Sequence, residues 1–227
     1  MEHEPFTWLG ALGLPEKITT AGLVALFLMG FAVAIRRRLV LTESAIDPED
    51  GVTGRNFAEV FVEAISGLAE GVIGHGFERY VPLLGSFFIF ILVCNLLGLV
   101  PGFSPPTSDF NVTLGLGLVA FVAYHVSGAR EHGFGYVKQF LGPLWWLAWL
   151  MFIVEVFSHL FRPVSLGIRL FANMTADHQV IEIFTGLTKV GVPVVFYVLG
   201  AFVAVVQAFV FTMLSAIYIA LALSHEH

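Results

Sequence analysis

Five stretches of this chain are apolar for long enough to lie across or within a lipid bilayer: residues 19–35, 80–100, 112–127, 141–184 and 190–223. A hydrocarbon core of about 30 Å takes roughly 20 helical residues to cross. Composition points the same way. The chain is 57% hydrophobic and 12% charged, with a mean hydropathy of +0.86, where a soluble domain carries about 25% charged residues. So few polar groups cannot cover a water-facing surface, and the solvent for most of the chain is lipid. A net charge of −6 gives no reason to expect nucleic acid. The single cysteine, Cys94, lies in the apolar run FIFILVCNLLGL and reads as a small buried hydrophobe.

The order of segments sets an orientation. The N-terminal MEHEPFTWLG is acidic, has no basic leader and reads as part of the mature protein. The first span, 19–35, is followed at once by Arg36, Arg37 and Arg38, and positive residues beside a span stay cytoplasmic. The N-terminus is therefore expected outside. After a polar loop, residues 56–74 place Phe57, Val60, Phe61, Ala64, Ile65, Leu68 and Val72 on one helical face and Glu59, Glu63 and Glu70 on the other. That is an amphipathic surface helix, and its acidic polar face suits protein packing as well as lipid contact. The Pro-rich turn 101–111 follows the second span. The loop 128–139, with Arg130 and Lys138, returns to the cytoplasm after a short third span. Residues 141–184, softly broken at Pro163, and 190–223 are longer than an upright crossing needs. They are expected as a hairpin of long, tilted helices, with the C-terminal SHEH in the cytoplasm. The fold class is an all-α integral membrane protein: about five crossing helices and one surface helix in a single membrane domain.

The fourth segment concentrates the chemistry. It holds Glu155, Arg162, Arg169, Asp177, His178 and Glu182. An arginine at mid-bilayer costs about 2.5–3.5 kcal/mol on insertion scales, so such groups face protein or water and carry function. Ser165, Arg169, Asn173 and Ala176 fall on one helix face. His178, nine positions on from Arg169, falls about 180° away, with Asp177 between. Arginine stays protonated and cannot relay a proton, but it can hold an opposing carboxylate ionised and block leakage. Histidine titrates near neutrality and can relay, and Asp177 and Glu182 are placed to line a wet path to it. Blander roles stand beside these. Arg162 suits a snorkelling residue at the interface. Glu155 suits a structural bridge to Arg162, and Asp177–His178 a satisfied polar pair. His75, His125, His132 and the C-terminal histidines lack metal-like spacing and read as solvated or interfacial. On the last helix Gln207 is the one strongly polar residue at mid-depth. It should bond across helices, toward the Arg169 face. Tyr218 reads as an interface anchor or as part of this face. Neither a nucleotide loop, a metal cluster nor a nucleophile–base pair is visible, so no cofactor or metal is expected and the chain does not read as an enzyme.

NLLGLVPGFSPPTSDFNVTLGLGL (95–118), PVSLGIRLFANM (163–174) and QAFVFTMLSAIY (207–218), in that order, resemble subunit a of the F-type ATP synthase, over nearly the whole chain. The resemblance implies a stator subunit beside a rotating ring of c subunits, with a b-subunit peripheral stalk and the rest of the synthase as partners. Two half-channels would carry protons to and from a ring carboxylate. It implies that Arg169 is the essential arginine, that Asn173 and Gln207 are its polar partners, and that Glu155, Ser165 and Tyr218 occupy motif positions. Relatives often carry glutamate where this chain has His178, and histidine where it has Gly200. The inlet relay is therefore expected at His178 and Asp177, with Glu182 behind. A bacterial plasma membrane is the expected location. The rival reading is a self-contained secondary transporter, which calls for inverted repeats and a midplane substrate site; neither is visible in the sequence.

Overall fold

The computed structural model describes residues 16–41, 54–100, 102–133, 148–188 and 191–224, the side chains of 35–41, 55 and 148 excepted. Six helices account for most of them: α1 (Glu16–Leu41), α2 (Gly54–Ile73), α3 (Val81–Leu97), α4 (Phe110–His132), α5 (Ala148–Leu187) and α6 (Gly191–Leu223). Two 3-10 turns, Phe77–Arg79 and Pro106–Ser108, stand before α3 and α4. No strand occurs among the described residues. By length and composition α1, α4, α5 and α6 can each cross a membrane, and α3 is a shorter apolar helix. The all-α membrane fold expected from the sequence is the fold observed. The acidic N-terminus, the side chains of the arginine triplet, the loop 42–53, Lys138, residues 141–147 and the last three residues lie outside the description.

Three of the differences from the sequence reading have a local reason. α4 starts before residue 112 because Asp109 caps it, accepting a hydrogen bond from the Asn111 N–H at 2.8 Å. It also runs past residue 127, since Arg130 and His132 suit the last turn of a helix. The soft break expected at Pro163 is not a break. α5 is one helix of 40 residues through that proline, or about 60 Å at 1.5 Å per residue. Proline lacks an N–H, so the carbonyl of His159, four residues back, loses its usual helical donor.

Lipid tails are as apolar as leucine, so helices in a bilayer associate through close packing and hydrogen bonds rather than hydrophobic exclusion. The contacts follow that rule. A Cβ on Gly117 would fall 2.5 Å from the Pro163 carbonyl oxygen, and one on Gly167 would fall 3.1 Å from Leu114 Cα. Glycine at these two positions lets α4 and α5 touch backbone to backbone. Phe87 and Ile91 of α3, Ala120 of α4, Leu166, Leu170 and Met174 of α5, and Ala208 and Phe211 of α6 form the main core. A second cluster seats α2: Ile65 and Ala69 pack with Leu84, Tyr124, Ala216 and Ile219. The amphipathic helix thus packs on protein, as its acidic outer face allows. Buried Asn95 ties three elements together. Its side chain accepts from Thr107 at 2.6 Å and donates to the Ala204 carbonyl at 3.4 Å.

α5 and α6 form an antiparallel hairpin. Phe184 stacks on Phe196 at 4.1 Å, and at the other end the Arg162 guanidinium lies 5.4 Å from the Tyr218 ring. That register sets Asn173 level with Gln207.

Candidate functional site

The 3.6-residue period divides α5 into two faces. Pro163, Leu166, Gly167, Leu170, Met174 and Ile181 are buried against the other helices. Ser165, Arg169, Asn173 and Ala176 are exposed, together with Ile168 and Ala172. The structure therefore gathers the predicted row on the outer face of the molecule. Gln207 of α6 is half-buried at the level of Asn173, where the sequence reading wanted a polar partner. The flanking surface is apolar: Ile168 is 47% exposed and Phe202 is 65% exposed. An arginine set in such a surface is not placed for lipid.

Two groups of titratable side chains flank Arg169 along α5. On the C-terminal side are Asp177, His178 and Glu182, the first two half-buried and the last exposed. Asp177 leans on α6 where that helix has no side chain: a Cβ on Gly200 would fall 2.8 Å from Asp177 Oδ2. The space beside Gly200 is filled by a carboxylate from the facing helix. Lys17, at the start of α1, was not singled out in the sequence; its Nζ donates to the Ser108 carbonyl at 3.2 Å.

On the N-terminal side the structure corrects three expectations. Glu155 bonds His159, four residues on, with Oε1 3.1 Å from Nε2, rather than serving as a bridge to Arg162. Arg162 does not snorkel. It is half-buried, its guanidinium 5.9 Å from the Tyr124 ring and 5.4 Å from Tyr218, an attraction of cation for ring face. His125 is not a solvated histidine either; its ring sits 4.2 Å from Phe121, 4.3 Å from Tyr124 and 5.0 Å from His159. Tyr218 joins this group at the level of Arg162, about two turns along α5 from Arg169. His159 and Tyr124 were missed by the sequence reading. The i,i+4 spacing of Glu155 and His159 was a usable signal. Tyr124 lies on another helix, and nothing local points to it. Among the described residues no group of three or more His, Cys, Asp or Glu is arranged to hold a metal ion.

Comparison with known proteins meets this geometry. Residues 18–220 match the family described as ATP synthase A chain. The chain belongs to the ATP synthase A chain family. Curated members alike over most of the chain include ATP synthase subunit a of Bdellovibrio bacteriovorus, 44% identical over 211 residues and covering 92% of each chain. Subunit a of Trichlorobacter lovleyi is 46% identical over 173 residues, 76% of this chain and 75% of its own. ATP synthase subunit a 1 of Syntrophotalea carbinolica is 40% identical over 215 residues, covering 95% and 88%. Membership in the ATP synthase A chain family, with apolar helices of spanning length, makes this a multi-pass membrane protein.

Proposed function

We propose that this chain is the proton-conducting stator subunit of a rotary ATP synthase, and that Arg169 separates two proton paths at a ring of partner helices. The observation that carries the reading is the exposure of Arg169 on an otherwise apolar outer face. A cation there needs a partner of opposite charge, because lipid offers none. A ring of c subunits bringing one carboxylate after another past that face supplies it. An opposite charge within about 4–6 Å favours the ionised carboxylate, so each ring site would give up its proton on reaching Arg169. Asn173 and Gln207, level with each other across the hairpin, would fix the guanidinium, with Ser165 leaving room for close approach.

The flanking groups then divide the labour. Asp177, His178 and Glu182, about 12 to 20 Å beyond Arg169 at 1.5 Å per residue, would line the path that loads the ring. Glu155 and Tyr218, toward the other end, would line the path that unloads it. One charge crossing 100 mV yields about 2.3 kcal/mol, so rotation must gather several protons for each ATP. ATP chemistry falls to the rest of the synthase, and the peripheral stalk b subunit would hold this chain still. In the expected orientation the N-terminus faces outward across a bacterial plasma membrane and the C-terminus lies in the cytoplasm. A self-contained transporter would enclose its charged site; an outward-facing Arg169 speaks against that.

The test is Arg169→Ala in membrane vesicles carrying the whole complex. ATP-driven proton pumping should fall by about a hundredfold or more, as when a fixed charge that organises a reaction is removed. Passive proton leak, after removal of the catalytic head, should be kept or raised. Normal pumping in an assembled complex would contradict the reading.

A further inference from the structure

Three helices end around one cavity. α2 stops at Ile73, α4 at His132 and α6 at Leu223. Val72, Glu131 and Leu223 are among the residues that line a space of about 610 Å³, inside the range of about 300–1,000 Å³ usual for ligand sites. Gly74 and Gly76, with φ of 74° and 80°, turn the chain between α2 and α3 through a conformation that glycine adopts readily and other residues do not. That turn brings His75, Arg79 and Tyr80 into the lining.

The lining is amphipathic. Ile217, Ala220, Leu221 and Ser224 line it from α6 and the residue after it, and their spacing makes them one stripe. The stripe is apolar from Ile217 to Leu221 and ends in the Ser224 hydroxyl, about 10 Å further along the axis. Leu221 is 49% exposed, so the apolar wall opens on the outer surface, where a spanning helix meets lipid. The polar lining, Arg79 and Glu131 foremost, comes from the helix ends and the turn. Both of these side chains are exposed, and among the described residues they are not joined in an ion pair. The cavity thus offers a cation and a carboxylate separately, beside an apolar wall.

We infer that this cavity binds a membrane phospholipid whose headgroup carries both a phosphate and a primary ammonium, with Arg79 taking the phosphate, Glu131 the ammonium, and the wall from Ile217 to Leu221 an acyl chain. A guanidinium fork suits phosphate oxygens. A purely anionic headgroup would meet the Glu131 carboxylate. It would also meet three helix C-termini, each equivalent to about half a negative charge. An ammonium is favoured by both. A quaternary ammonium has no N–H to donate to Glu131 and is held instead by aromatic cages; among the described lining residues Tyr80 is the one aromatic ring. The place also fits. Helix ends bearing Arg130 and Glu131 belong at the level of the headgroups, with the apolar wall below them. The inference needs only that the chain spans a membrane, and it stands apart from the reading of Arg169.

The test places the whole complex in lipid nanodiscs with a trace of phosphatidylethanolamine that carries a photoactivated diazirine on one acyl chain. Cross-linked peptides are mapped by mass spectrometry. Labelling is expected within residues 217–224. Bulk phosphatidylethanolamine should suppress it about tenfold more than bulk phosphatidylglycerol or phosphatidylcholine does. Arg79→Gln and Glu131→Gln should each lower it about tenfold, the size expected when one hydrogen bond to a charged group is lost. Both residues are exposed, so assembly should survive; if either variant fails to assemble, the competition on the wild-type complex decides. Equal suppression by the three lipids, or unchanged labelling in either variant, overturns the inference. Stronger suppression by phosphatidylglycerol also overturns it, since that marks a site for phosphate alone. No labelling within 217–224 means that another chain, or this chain's own last residues, fills the cavity, and overturns it as well. Arg169→Ala should leave labelling unchanged, so this inference and the proton-path reading fail separately.

Discussion

Along α5, Leu166, Leu170, Met174 and Ile181 are buried, while Ser165, Arg169, Asn173 and Ala176 lie on the opposite, exposed face. The buried face meets glycines and aliphatic side chains of α4, α3 and α6. The exposed face carries a charge and an amide that the buried face of α5 lacks. In a soluble protein the exposed row would be the ordinary one. In a bilayer the rule is inverted: an outward apolar residue needs no account, and an outward arginine does. The buried face explains how the subunit holds together; the exposed face explains what it must be placed against.

A substitution on α4 against the buried face and one on the exposed face should sharpen that contrast. Gly117→Val puts its Cβ within 2.5 Å of the Pro163 backbone oxygen. Backbone cannot step aside as a side-chain tip does, so the change should destabilise the subunit by about 3 kcal/mol, the upper part of the range for overpacking. The readout is a lower melting temperature of the purified complex and reduced yield. Ala172→Val, on the exposed face, should leave stability within about 0.5 kcal/mol, as surface changes do. An equal loss of stability in both would break the distinction between the faces.

A smaller effect is expected at Gln207. Gln207→Leu should leave melting unchanged and lower ATP-driven pumping about tenfold, the consequence of one lost hydrogen bond to a charged partner. Pumping at the wild-type rate would remove Gln207 from the exposed row's machinery.

The smallest change is Gly200→Ala. Its Cβ would meet Asp177 Oδ2 at 2.8 Å, and Ile181 Cδ1 and Leu99 Cδ2 at 3.1 Å. All three are side-chain ends that can shift, so stability should change by less than about 1 kcal/mol. Pumping should fall measurably because the Asp177 carboxylate is displaced. Unchanged pumping would mean that its position on α6 is incidental.

The exposed row was legible because its signal is local. A charge inside an apolar run is visible in one dimension, and the 3.6-residue period is enough to gather Ser165, Arg169, Asn173 and Ala176 on a line. The spans were legible for the same reason. The boundaries were less so. Asp109 as a cap and Pro163 within an unbroken helix depend on neighbours that the apolar pattern does not encode. Least legible was the group at the N-terminal side of Arg169. His125, Tyr124, His159 and Arg162 come from two helices, and each alone suits an interfacial residue. Only the close crossing of α4 and α5, permitted by Gly117 and Gly167, brings them together. Lys17 was hidden likewise, because its approach to Ser108 depends on how α1 docks.

The central claim, that the exposed face of α5 lies against a ring of partner helices, is tested most directly by cross-linking in the whole complex. Cys94, the chain's single cysteine, is fully buried, so an introduced cysteine reports alone. Ile168→Cys, beside Arg169, is to be paired with a cysteine next to the ring carboxylate. Phe27→Cys on α1, where the native residue is 67% exposed, is the lipid-facing control. The account predicts a disulfide from position 168 to the ring, and none from position 27. No cross-link at 168, together with labelling by a lipid-soluble maleimide as fast as at 27, would contradict it.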